Sequence, residues 1–242
     1  MDWSRAVNSY CERLDASFWS EPVNALSNVG FLLVAALVWR RLEVRSDPGA
    51  RLLTLVLVAI GVGSFLFHTH AGVWAMLADV LPFFGFILIY VHLATVRFLG
   101  APVWGGALAA VAYVPASAMA SRGITSAVGP VNGSVSYMPV AILIAAYALA
   151  LARRKPQTAR GLAIGAAALC LSIALRSVDQ AVCPAFPLGT HFFWHLLNAA
   201  LLGWMILVLA RHRTRPRTGV AGPPGGGLPR GQSDTQPDGT IW

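Results

Sequence analysis

Two short stretches of this chain, more than 120 residues apart, carry the side chains best suited to chemistry: Ser64-Phe-Leu-Phe-His68 closes one apolar run, and His191-Phe-Phe-Trp-His195 opens another. In each, the polar residues stand at i and i+4, so on a helix they share one face. Imidazoles at that spacing can reach one ion, and three of them in two apolar helices point to an intramembrane metal site. Three neutral imidazoles around a tetrahedral zinc leave the fourth position open, which separates a catalytic centre from a closed structural one. Water held there has its pKa lowered to about 7.

Asp79 is the only carboxylate embedded in the apolar runs near these histidines, which suits a general base and acid. The competing reading has it orienting a ligand imidazole from outside. Ser64, one turn before His68, could donate to a developing oxyanion, or bond back to its own i−4 carbonyl. His70 is two residues from His68 and points elsewhere on a helix. His92 lies roughly 20 Å of helix beyond Asp79, and His212 sits in a basic end, so none of these three is expected to be a ligand.

The elements that must position these groups follow from composition. Of 242 residues, 56% are hydrophobic and 12% charged, against roughly a quarter charged in a soluble domain. Apolar runs approaching or reaching the ~20 residues of a bilayer crossing stand at residues 23–39, 52–68, 73–96, 102–120, 135–152, 161–175 and 188–210. The expected fold is therefore an all-α membrane protein of seven transmembrane helices. Residues 122–134, rich in Gly, Ser and Asn, read as the connection between spans four and five. The start Met1-Asp2-Trp3-Ser4-Arg5 lacks a basic n-region and apolar h-region, so no cleaved signal peptide is expected. The organisation read from the chain is an extracytoplasmic segment at 1–22, one seven-helix transmembrane domain at 23–211 and a disordered Pro/Gly/Arg-rich cytoplasmic tail at 212–242.

Net charge is +8, and its distribution decides what it means. With seven spans, 14 of the 18 basic residues share one side, leaving Arg5, Arg13, Arg122 and Arg176 on the other. By the positive-inside rule the N-terminus is extracytoplasmic and the C-terminus cytoplasmic. A collar against lipid headgroups accounts for the charge better than nucleic acid, so the partner expected is the bilayer, with no nucleic acid and no obligate protein partner. Chain parity then puts Ser64, His68, Asp79, His191 and His195 at one depth, the outer side. Glu21, Asn24 and Asn28 add a polar stripe there at helical spacing. Cys11 and Cys183 also fall outside, where a disulfide can persist, whereas Cys170 falls inside span six. A Cys11 to Cys183 bridge would tie the N-terminal segment to the loop before span seven; two unpaired thiols are the alternative.

Glu21-Pro-Val-Asn24-Ala-Leu-Ser27-Asn28, Gly63-Ser64-Phe-Leu-Phe-His68, Asp79-Val-Leu-Pro82, and Asp179 followed by Cys183 and His191-Phe-Phe-Trp-His195 together resemble the alkaline ceramidases and their bacterial relatives in the CREST hydrolase superfamily. The resemblance runs from about Tyr10 to Ala210. It implies a zinc-dependent amidase that cleaves ceramide to a sphingoid base and a fatty acid. It also implies zinc on His68, His191 and His195, proton transfer by Asp79, assistance from Ser64, and a disulfide between Cys11 and Cys183. A calcium site known in eukaryotic members would fall on Glu12 and Glu21, with Asp15 as a compensating ligand, but Ser9 and Leu14 stand where oxygen ligands are expected, so calcium is doubtful. The rivals are a metal hydrolase of another lipid amide or ester, a seven-helix non-enzymatic receptor, and a transporter with histidine proton relays; the last usually carries internal repeats or broken helices, and none is visible. An Ala- and Arg-rich chain suggests a multi-pass protein of a bacterial plasma membrane.

Overall fold

Lipid offers no hydrogen bonds to a backbone, so a chain this apolar must satisfy its peptide groups within helices. The computed structural model describes residues 2–214, and from Pro22 onward its regular elements are helices, with a single isolated bridge, Ala6 to Gly72, and no strand among the described residues. The tail expected at 212–242 lies outside the described residues, but for the end of the last helix.

The elements are α1 (Pro22–Ser27) and α2 (Val29–Trp39), separated by Asn28, a short α3 (Leu42–Arg45), α4 (Pro48–His70), α5 (Val73–Leu99), α6 (Val103–Val128), a kinked 3-10 segment (Val131–Tyr137), α7 (Met138–Leu151), α8 (Pro156–Val182) and α9 (His191–Thr214). Taking α1 with α2, and the 3-10 segment with α7, seven helices are long and apolar enough to cross a membrane. Proline at the first turn starts α1, α4 and α8, where its missing N–H breaks no helical bond. The Asp47 carboxylate caps α4 by accepting from the Gly49 and Ala50 amides at 2.9 and 3.1 Å.

Two spans differ from the sequence reading. α6 continues to Val128, through Arg122, and α8 continues past Leu175 to Val182, taking in Arg176 and Asp179. The apolar runs stop at these polar residues, but the helices do not, because Arg176 and Asp179 turn inward and find partners in the bundle. Arg176 is accordingly a residue of the helical core rather than of an outer loop.

The bundle is uneven. In α9, 61% of the span is buried, against 11% in α6. α9 is thus the central post, packed on α2, α4 and α8, while α6 contacts chiefly α5 and the 3-10 segment. Phe31, Leu53, Leu57, Ile60, Leu162, Ile206 and Leu209 fill the core between the central helices. One glycine is needed where α4 and α5 cross: a side-chain carbon on Gly63 would overlap the Ala78 carbonyl. That close approach brings the next residue, Ser64, against the turn of α5 that carries Asp79.

The N-terminal segment closes one end. Its amide at Val7 donates to the Ala71 carbonyl at 2.7 Å, and the Val73 and Trp74 amides donate back to Arg5 and Trp3. Cys11 is bonded to Cys183 just beyond α8, with Cα atoms 5.5 Å apart, which pins this segment across the helix ends.

Candidate metal centre

His68 sits in the last turn of α4, and His191 and His195 occupy the first two turns of α9. All three are buried, and their ligand atoms lie within 4.8 Å of one another, a spacing that could hold a metal ion. The two sequence stretches therefore meet, across two helices, at one point.

Each imidazole is fixed by a different neighbour. His68 places Nδ1 2.6 Å from the Glu21 carboxylate, while its Nε2 is buried with no hydrogen-bond partner. With Glu21 ionised, Nδ1 carries the hydrogen and donates, which leaves the Nε2 lone pair for an ion. Burial pushes the Glu21 carboxyl up, but bonds from His68 and Arg13 hold it below its ordinary value. His195 Nδ1 lies 2.7 Å from Ser27 Oγ, whose own hydrogen goes to the Asn24 carbonyl at 2.8 Å. Ser27 must then accept from His195, freeing Nε2 in the same way. His191 has no such acceptor: the Tyr10 ring stacks on it at 3.6 Å, and Arg176 lies 3.4 Å from Nδ1, long for a hydrogen bond.

What holds the ligands' helices in place is also polar. Asp179, fully buried on α8, accepts the Thr190 and His191 amides through Oδ1 at 2.7 and 2.9 Å, and the Cys11 amide through Oδ2 at 3.0 Å. It thus caps α9 and fixes the turn that presents His191. Gly189, at φ +64, makes the bend before that cap, where a side chain would strike Asp179 and Cys11. On α1 the Glu12 carboxylate accepts the Val23 and Asn24 amides at 2.7 and 2.8 Å, and burial pushes this carboxyl up. Glu21, in the capping position itself, is released to pair with His68 and with the Arg13 guanidinium.

Glu12, Asp15 and Glu21 thus each have protein partners: a helix end, the Ser17 hydroxyl and amide, and Arg13 with His68. Among the described residues the three histidines are grouped closely enough that they could hold an ion, and these carboxylates are not in that group.

Asp79 and Ser64 line a small cavity with His191, His195, Tyr137 and Arg176, of about 20 Å³, room for a single water. Where Thr54, Thr69, Thr95 and Ser177 bond back to carbonyls of their own helices, the Ser64 hydroxyl faces the Asp79 carboxyl. The histidines set aside by the sequence lie elsewhere: His70 packs against Phe18 and Trp74, and His212 bonds Thr158 and Lys155 at the far end of the bundle. Sequence reasoning missed Ser27 and Arg176 as members of the site. The first stood in the α1 polar stripe, three residues after Asn24; the second had no signal beyond being a lone cation near an apolar run.

A protein-family model described as Ceramidase matches residues 7–218. The chain belongs to the ceramidase family. Among curated proteins none matches it. Family membership makes this ceramidase-type chain a hydrolase of sphingolipid metabolism, carried on a multi-pass membrane bundle. In that light the Glu21 contact has a direct consequence. Glu21→Gln should weaken metal binding by about 10- to 100-fold, the range for losing the carboxylate behind a ligand histidine. Competition against a chelator of known affinity measures it, and unchanged affinity would remove Glu21 from the site.

Proposed function

We propose that this ceramidase-family protein is a zinc-dependent intramembrane amidase that hydrolyses ceramide to a sphingoid base and a fatty acid. The observation that carries the reading is three buried imidazoles, close enough to share an ion, beside a cavity lined by Asp79 and Ser64. The orphaned His68 Nε2 and the acceptors behind His68 and His195 fit a metal held by neutral nitrogen donors, which suits zinc. When bound, zinc supplies a Lewis acid and lowers the pKa of an adjacent water.

The chain's own residues supply the rest. Asp79 takes the proton from the attacking water as its oxygen bonds to the amide carbonyl carbon. It then delivers that proton to the nitrogen as the C–N bond breaks. Ser64 donates to the carbonyl oxygen as negative charge develops there. The helices exclude bulk water, so these dipoles act in a low-dielectric cavity.

Apolar space beside the cavity supports a lipid substrate. Val80, Phe83 and Tyr137 line both the small cavity and a groove of about 410 Å³ between α5, α6 and the 3-10 segment. On the other side of Phe83 lies a purely apolar pocket of about 60 Å³ among α5, α7, α8 and α9. One hydrocarbon chain can run from Phe83 along the groove while the amide faces Asp79, and the smaller pocket takes a few methylene groups. The groove beside the exposed helix α6 is a lateral entrance from the bilayer. In this reading the site faces the extracytoplasmic side, which the basic collar supports, in a bacterial plasma membrane.

The test is a lipid panel on purified protein of known metal content, with released fatty acid as the readout. Ceramide should be cleaved, chelation should abolish turnover and zinc should restore it. Fatty acid released only from a different amide or an ester would replace the substrate, and tight lipid binding with no release would replace the enzyme by a receptor.

A further inference from the structure

Arg176 is a buried cation with no carboxylate at ion-pair distance: Asp79 acts on it across the cavity they both line but does not bond to it. Its Nε is enclosed with no hydrogen-bond partner, and among the described residues no carboxylate pairs with it. The guanidinium lies within 5.2 to 5.5 Å of the Tyr10, Tyr137 and Trp194 ring centroids, and one terminal nitrogen donates to the Tyr10 hydroxyl at 2.8 Å. Rings soften the desolvation of a guanidinium, but a buried charge normally has a partner of opposite sign. The chain retains this one facing the cavity that also holds Asp79, Ser64 and two of the histidines.

Its second face explains what the partner is. Arg176 and Tyr10 line that cavity and also an outer vestibule of about 700 Å³, bordered by Asn8, Asn132 and Gln180. The pair therefore stands between the reacting centre and a polar exit. Amide cleavage turns a neutral carbonyl into a carboxylate at this spot, so an anion appears only once the reaction has run. A guanidinium matches a carboxylate with two parallel hydrogen bonds. Nε, the atom now without a partner, is one edge of that fork.

We propose that Arg176 is a carboxylate-binding residue: it takes the head group of the fatty acid released at this site and holds it between the cavity and the vestibule. This assignment rests on the amidase reading above. The neutral substrate leaves Arg176 with its aromatic neighbours and the more distant Asp79; the charged product gives it a directly bonded carboxylate. Fatty acid is then retained by charge as well as by its chain.

Equilibrium binding of radiolabelled palmitate to the zinc-loaded protein in detergent tests this, with hexadecanol as the uncharged competitor of equal chain length. In the wild type, palmitate should compete at least about tenfold better than hexadecanol, one decade in Kd. Arg176→Gln should lose that preference while keeping hexadecanol affinity and metal content. An unchanged preference in that variant would leave the metal as the carboxylate's only partner and overturn the assignment. Should Arg176→Gln fail to fold, hexadecanesulfonate decides on the wild type, since a sulfonate pairs with a guanidinium but is a poor zinc ligand. Competition about tenfold better than hexadecanol supports Arg176, and equal competition overturns it. Ceramide turnover on the same preparations separates the two ideas. A wild type with the anion preference but no ceramide cleavage sinks the amidase reading and leaves a fatty-acid site at Arg176. Cleavage without the preference removes the Arg176 site alone.

Discussion

The double variant His191→Ala/His195→Ala is expected to contain no stoichiometric zinc and to lose ceramide hydrolysis by about a thousandfold or more, roughly 4 kcal/mol of transition-state stabilisation. Both side chains leave the first two turns of α9, and His68 alone cannot hold the ion. The helix itself should persist. Its cap from Asp179 reaches the backbone at Thr190 and His191, and Leu201, Ile206 and Leu209 anchor it in the core further along. Elemental analysis of the purified variant beside the wild type, with a circular dichroism spectrum to check the helices, is the measurement. Full metal content with turnover intact would end the proposal that these imidazoles form the catalytic centre.

Asp79→Asn separates a proton carrier from a ligand. The amide keeps the size of the carboxyl and its place beside Ser64, but cannot accept and pass on a proton. Turnover should fall by about 10²- to 10⁴-fold, the usual contribution of a positioned acid–base group, while zinc stays bound because the three histidines and their partners Glu21 and Ser27 are untouched. Paired measurements of kcat and metal stoichiometry distinguish the roles. Loss of zinc together with activity would make Asp79 a ligand or the support of one, and near-normal turnover would remove it from the chemistry.

How far the site was legible depends on how far each residue's signal travels along the chain. His191 and His195 announce themselves, because i,i+4 spacing puts both on one face whatever the helix packs against. His68 needed one further step, chain parity, which brings the end of the second crossing to the depth at which the seventh begins. The Glu21, Asn24 and Asn28 stripe was visible as a face but not as a function. Glu21 turns out to hold His68, and the residue that reaches His195 is Ser27. Carboxylate and hydroxyl partners of this sort lie 47 and 168 residues away in sequence, respectively, and no local period encodes such a pairing. Arg176 was read as an outer charge because a cation ends an apolar run, and only the surrounding rings of Tyr10, Tyr137 and Trp194 turn it inward.

By itself the amino-acid order determined the helical class, the seven crossings and the histidines that could meet, since a bilayer leaves an apolar backbone few alternatives and helical periodicity assigns each side chain a face. Tertiary structure decided which nitrogen of His68 is free, which helix caps which, and that Arg176 faces the cavity. Those outcomes depend on close approaches such as Gly63 against Ala78 and on hydrogen bonds between distant segments, which arise only once the helices have packed.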